Sequence, residues 1–295
     1  MRWNGMSVVL AVAMSVSGSQ ARADEPSAES TYAEIKRTLG LVPSFMKAYP
    51  EAGIAAAWDE WRTIELDPKT AIPNKTKELI GLAVASQIPC RYCVYFHTQA
   101  AKLNGASDRE IKEAIAAAAL TRHWSTVLNG LQLDDKQFER ELQNLFAFLA
   151  KPHKPHPAIQ VVDAASAYKD MEQMFGSVPS FMKKFPERGI AAAWRQLKVM
   201  QFATDSALPA KTKDLIGLAV SAQIPCKFCV AFDTKSSKLD GASDVELAEA
   251  VAMAAITRHW STVLNGSLID EAQFRREVDE VIRNSRNVTG RAGRP

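Results

Sequence analysis

The chain repeats itself at a fixed offset of 136 residues. Between residues 73–130 and 209–266, 40 of 58 positions are identical without a gap. Pro43, Trp58, Cys90 and His123 return as Pro179, Trp194, Cys226 and His259. A period this long belongs to two domain-sized copies rather than to a solenoid. Any fold proposed for one copy must therefore be built twice, and every difference between the copies is an internal comparison.

Each copy reads as helical. Pro73 opens a helix that Pro89 ends, since proline fits the first turn and disfavours helix in the residue before it. A second helix runs over residues 90–103 and stops at Gly105. Ser107 with Glu110 makes a capping box for a long helix to about Leu128, closed by Gly130, and residues 134–149 supply another. Ser243 with Glu246, and Gly176, Gly241 and Gly266, repeat this punctuation. Alternating β-branched runs are absent, so the expected fold is all-α, two tandem helical domains.

The organisation follows. Arg2, the apolar run SVVLAVAMSVSG and the Ala21-Arg22-Ala23 pattern read as an export signal over residues 1–23, cleaved after Ala23. The first domain is expected over 24–150 and the second over 158–295, joined by a linker at 151–157 (KPHKPHP), whose His153 and His156 read as solvated spacer. A periplasmic or secreted protein can keep cysteine pairs oxidised. A net charge of +3, evenly spread, gives no case for nucleic acid, and the mature chain has no apolar run long enough to span a membrane.

The chemistry concentrates in residues 78–97, ELIGLAVASQIPCRYCVYFH. Cys90 and Cys93 form a Cys-x-x-Cys pair, and His97 lies one helical turn beyond Cys93, on the same face. Cys90 falls where a helix should begin, and free N–H groups and a positive dipole end lower a thiol pKa. That argument alone favours Cys90 as the nucleophile. Glu78 sits twelve residues earlier, and two antiparallel helices would return it to His97, giving a carboxylate–imidazole–thiol relay.

Glu78, Cys90, Tyr92, Cys93 and His97 resemble the signature of alkylhydroperoxidase D-like proteins, within the carboxymuconolactone decarboxylase-like superfamily. The likeness is tightest over residues 73–130, with its echo at 209–266, and loose in the flanking helices. It implies an all-helical fold and a thiol-dependent peroxidase or disulfide reductase, commonly oligomeric. By that resemblance Cys93 is the attacking thiolate, activated through His97 and Glu78, and Cys90 is its disulfide partner. No bound cofactor or metal is implied; the substrate is a peroxide or a disulfide, and a thiol electron-donor protein must regenerate the pair.

The second copy departs from the pattern: Asp214, Phe228 and Asp233 replace Glu78, Tyr92 and His97. A carboxylate beside a thiol raises its pKa, so Cys226–Cys229 is expected to be a slow or structural disulfide, or a relay to the first pair. His123 shares a helical face with Ala116, Ala119, Leu120 and Val127, and is expected in the core, with a relay role as the alternative. Trp58, Trp124, Trp194 and Trp260 read as core aromatics. The copies are expected to pack as a pseudo-dimer, and whole chains to associate further. The rival readings are a structural staple, a zinc site built from both cysteine pairs, and a helical module whose thiols hold a soft metal.

Overall fold

A computed structural model describes residues 26–152 and 157–292. The export signal, and His153 and His156 of the linker, lie outside the described residues. Among the described residues there are helices and no strands. The first copy comprises α1 (Ala28–Leu39), α2 (Ser44–Lys47), α3 (Glu51–Trp61), α4 (Asn74–Gln87), α5 (Arg91–Leu103), α6 (Asp108–Gly130) and α7 (Asp135–Leu149). Its counterparts are α8 (Ala164–Phe175), α9 (Ser180–Lys184), α10 (Glu187–Gln201), α11 (Ala210–Gln223), α12 (Lys227–Leu239), α13 (Asp244–Gly266) and α14 (Glu271–Ala292).

The ends of these helices follow their local chemistry. Ser107 and Ser243 each accept from the N–H three residues on, while Glu110 and Glu246 return to the capping backbone, completing both capping boxes. Gly40, Gly105, Gly176 and Gly241 take positive φ just past their helices. Gly130 and Gly266 do not: each is the last helical residue, and the positive φ falls at Gln132 and Leu268.

α4 and α11 lie at the centre. Residues Lys77 to Ala85 and Lys213 to Ser221 are all buried, so both helices are enclosed on every face. Together with α6 and α13 they form one apolar cluster drawn from both copies, including Leu79, Ile80 and Leu82 with Leu215, Ile216 and Leu218. The side chains of Gln87 and Gln223, equivalent positions, hydrogen-bond to each other across a pseudo-two-fold axis.

The copies also cap each other. Glu249 accepts from the Ala71 and Ile72 N–H groups at 2.9 and 2.7 Å, and its equivalent Glu113 accepts from Ala207 and Leu208, both at 2.9 Å. Glu277 of α14 takes the free N–H of Ser44 at 2.9 Å, and Glu141 of α7 takes that of Ser180 at 3.0 Å. The last helix of each copy thus packs onto the other: α14 lies against α5, α1 and α2, and α7 against α12 and α8.

The four tryptophans expected in the core are buried. His123 is not: it is exposed, its ring against Trp124 and Phe185 at centroid distances of 5.1 and 5.9 Å. The buried positions of α6 include Ala117, Leu120, Trp124 and Leu128, while Ala119 is exposed. An alanine-rich helix has little amphipathic contrast, and the face assigned from sequence is rotated from the true one. His123 lines neither cavity beside a cysteine pair, which removes the basis for its relay role.

Candidate active site

α4 and α5 form a tight antiparallel hairpin, so residues near the start of one lie beside the middle of the other. Cys90 is the N-cap of α5, with extended backbone, and its sulfur accepts from the Cys93 N–H at 3.2 Å. Both cysteine pairs are disulfide-bonded, with Cα–Cα distances of 5.3 Å. Cys90 is fully buried and Cys93 is 4 % exposed.

Two turns into α5, His97 Nδ1 lies 2.8 Å from Glu78 Oε2. With the carboxylate ionised, Nδ1–H donates to it and the lone pair is on Nε2. The imidazole lies flat against α4 because residue 81 is glycine: a Cβ there would sit 2.4 Å from the ring. Thr257 Oγ1 approaches Nε2 at 3.5 Å from α13, so the far side of the imidazole faces the other copy.

A third polar group was not singled out from sequence. After Trp61 the third helix runs on for one π-helical turn, Arg62–Leu66, which turns the Glu65 carboxyl inward to 3.7 Å from His97 Nδ1. Buried Lys77 holds this turn in place, its ammonium donating to Ile64 O, Asp67 O and Thr70 Oγ1 at 2.8, 2.7 and 2.8 Å. Extra-turn insertions of this kind gather at functional sites. The readable signal was the repeat itself, since Glu65 faces Gln201 just as His97 faces Asp233.

Burial sets the charge of the cluster. It pushes Glu65 and Glu78 both up to about 8, the charge of Glu78 adding to the rise at Glu65. It holds His97 below the usual imidazole range, with Glu65 pulling the other way. Near neutral pH both carboxyls keep their protons and the imidazole is neutral. One oxygen or nitrogen from each of Glu65, Glu78 and His97 lies within 4.8 Å of the others, a donor set of the size that holds a metal ion.

Cys93 and His97 line one narrow cavity of about 30 Å³. Trp61, Glu65 and Phe96 come from the first copy, and Ile256, Thr257, Trp260, Leu264 and Phe274 from the second. Asn265 of α13 approaches Cys90 Sγ at 3.6 Å, and the Tyr92 hydroxyl donates to Ile269 O at 2.6 Å. The site is therefore incomplete without the second copy.

In the second copy the disulfide geometry is repeated but the polar cluster is not. Asp214 accepts from Gln201 at 2.6 Å and from Ser236 at 2.9 Å, and no imidazole is present. Burial pushes Asp214 up to about 8 and Asp233 up to about 7.

Residues 52–136 and 189–271, more than half of the chain, match the sequence profile of the carboxymuconolactone decarboxylase family. The chain belongs to this family. Its two matched regions coincide with the two copies, each enclosing one cysteine hairpin. A 52-residue stretch is 40% identical to "Uncharacterized protein 4 in cox locus" of Paracoccus denitrificans. That stretch is 18% of this chain and spans about half, 47%, of the relative's length. The fold is also similar to a protein described as a gamma-carboxymuconolactone decarboxylase subunit from Burkholderia xenovorans LB400. The TM-score is 0.54 at 14% identity, over 91% of this chain and all of the other. At that identity the likeness speaks for the fold alone. The family includes decarboxylases and alkylhydroperoxidase D-like peroxidases.

Proposed function

We propose that this chain is an exported thiol-dependent peroxidase whose chemistry resides in its first copy. The observation that carries the reading is one cavity shared by Cys93 and His97, with His97 held by Glu78 at 2.8 Å. In the reduced protein with Glu78 ionised, the Cys93 thiol gives its proton to His97 Nε2, and Glu78 orients the ring and balances the imidazolium. The Cys93 thiolate attacks one peroxide oxygen. The O–O bond breaks, sulfur is oxidised to sulfenic acid, and the departing hydroxide takes a proton to leave as water. Cys90 then attacks that sulfur, forming the disulfide and releasing a second water. An external dithiol returns the pair to its reduced state, and no bound cofactor takes part.

The size of the cavity supports a small oxidant. Its volume of about 30 Å³ holds two or three water-sized molecules, given roughly 10–15 Å³ for each. Hydrogen peroxide fits, which supports peroxide reduction. Stopped-flow peroxide consumption by the pre-reduced protein tests the proposal. Cys93→Ser is expected to fall to the background of free thiols, and His97→Ala to lose about 10²- to 10⁴-fold, the usual worth of a positioned base. A wild type no faster than Cys93→Ser would end the reading.

Glu65, Glu78 and His97 as a set favour one second reading, a buried metal site. Metal analysis after anaerobic purification distinguishes it: a stoichiometric divalent ion retained by the wild type and lost in Glu65→Gln would replace the proton relay.

A further inference from the structure

All eleven residues around the first cavity have their counterparts, at the 136-residue offset, around a second cavity beside Cys229. The two are not equal. The second has a volume of about 110 Å³ against about 30 Å³ for the first. The enlargement comes from side chains that shrink: Trp61 is matched by Leu197, and the His97 ring by the shorter Asp233. Had the second copy merely decayed into a structural support, its core would be expected to close on the space, because an unfilled cavity costs stability. It has instead opened, and its wall is apolar, from Leu120, Trp124, Phe181, Phe202 and Phe232 among others.

The polar lining is largely engaged elsewhere. Glu141 caps Ser180 at 3.0 Å and Gln201 donates to Asp214 at 2.6 Å. Asp233 differs: it is 8 % exposed, it lines the cavity, and its Oδ2 has no hydrogen-bond partner, the neighbouring Ser221 hydroxyl being donated to Leu218 O at 3.0 Å. A buried carboxyl oxygen without a partner is a costly feature that a donor from a ligand would relieve. An apolar pocket with one convergent polar group is the usual form of a small-molecule site.

We propose that the second copy is a binding site for a small, ring-sized apolar molecule carrying one hydrogen-bond donor, which is directed to Asp233. The size follows from the volume, since a cavity of about 150 Å³ takes benzene. The site is independent of peroxide chemistry in the first copy and stands whether or not Cys93 turns over.

Isothermal titration of the full, disulfide-intact chain tests the assignment, with phenol and toluene as probes of equal ring size. Phenol is expected to bind at least tenfold more tightly than toluene. Leu197→Trp, which restores the side chain of the first copy at a half-buried position, is expected to abolish binding of both. Asp233→Leu is expected to bring the two affinities within about twofold, each tenfold being 1.4 kcal/mol. Equal affinities for the wild type, no binding of either probe, or undiminished binding to Leu197→Trp would each overturn the proposal. The phenol-to-toluene comparison needs no variant, so it decides the matter even where a substitution fails to fold.

Discussion

His97 is the residue on which the first site turns, and three neighbours fix it: Glu78 by hydrogen bond, Gly81 by absence of a Cβ, and Thr257 from the other copy. Gly81→Ala is expected to push the ring off α4 and lower the peroxide rate by at least tenfold, with helical content by circular dichroism unchanged. The carboxyls give a second prediction, with a definite sign. Glu65 and Glu78 have folded-state values near 8, above their ordinary 4.5. The folded state therefore holds protons that the unfolded chain releases, so their contribution is full below about pH 4.5 and is lost as pH rises towards 8. Melting of the oxidised protein should show this decline, and Glu65→Gln/Glu78→Gln should flatten it; a slope unchanged in the double variant would contradict the assignment. At this scale the sequence was informative about Glu78, Cys90, Cys93 and His97, whose spacing a helical hairpin converts directly into proximity. It marked Glu65 only through its difference from Gln201 in the repeat, because a π-helical turn changes the register by one residue and leaves no mark in the periodicity. It misplaced His123, because alanines on several sides of α6 blur the buried face.

Elements are held by polar devices as much as by packing. The π-helical turn that presents Glu65 hangs on the Lys77 ammonium and its three acceptors. Lys77→Met keeps the length but strands three buried oxygens, at a cost of about 3 kcal/mol. It is expected to lower both the melting temperature and the peroxide rate. The equivalent Lys213 reaches Ala203 O at 3.4 Å and Ser206 at 3.1 Å, a looser bracket around a helix that makes no π-helical turn. Lys213→Met is accordingly expected to cost less, which chemical denaturation of the two variants would measure. Helix boundaries were legible wherever a side chain or proline sets them, as at Pro73, Ser107 and Ser243. They were less so at Gly130 and Gly266, where the chain turns two residues later at Gln132 and Leu268.

For the whole molecule, the repeat announced two copies but not how deeply they interlock. Sequence periodicity reports which face of a helix is apolar; it does not say whether the partner surface belongs to the same copy. Here α4 and α11 share one core, and α14 and α7 cross over to cover the opposite cysteine helix. A fragment of residues 24–150 is therefore expected to lack a stable monomeric fold, since its first cavity has lost Ile256, Thr257, Trp260, Leu264 and Phe274. Sedimentation of the isolated fragment would show an unfolded chain or a dimer; a cooperative, peroxide-active monomer would count against interdependence. The two copies differ on one scaffold, the first with a carboxylate–imidazole pair beside a tight cavity and the second with a larger space.

The most direct test of that division is to ask which cysteine pair peroxide oxidises. Fully reduced protein would be given less than one equivalent of hydrogen peroxide, quenched with an alkylating agent over time, and its peptides resolved by mass spectrometry. Oxidation is predicted to appear first at Cys90 and Cys93, with Cys226 and Cys229 still fully alkylated when the peroxide is spent. Equal rates at the two pairs, or earlier loss of Cys226 and Cys229, would contradict it.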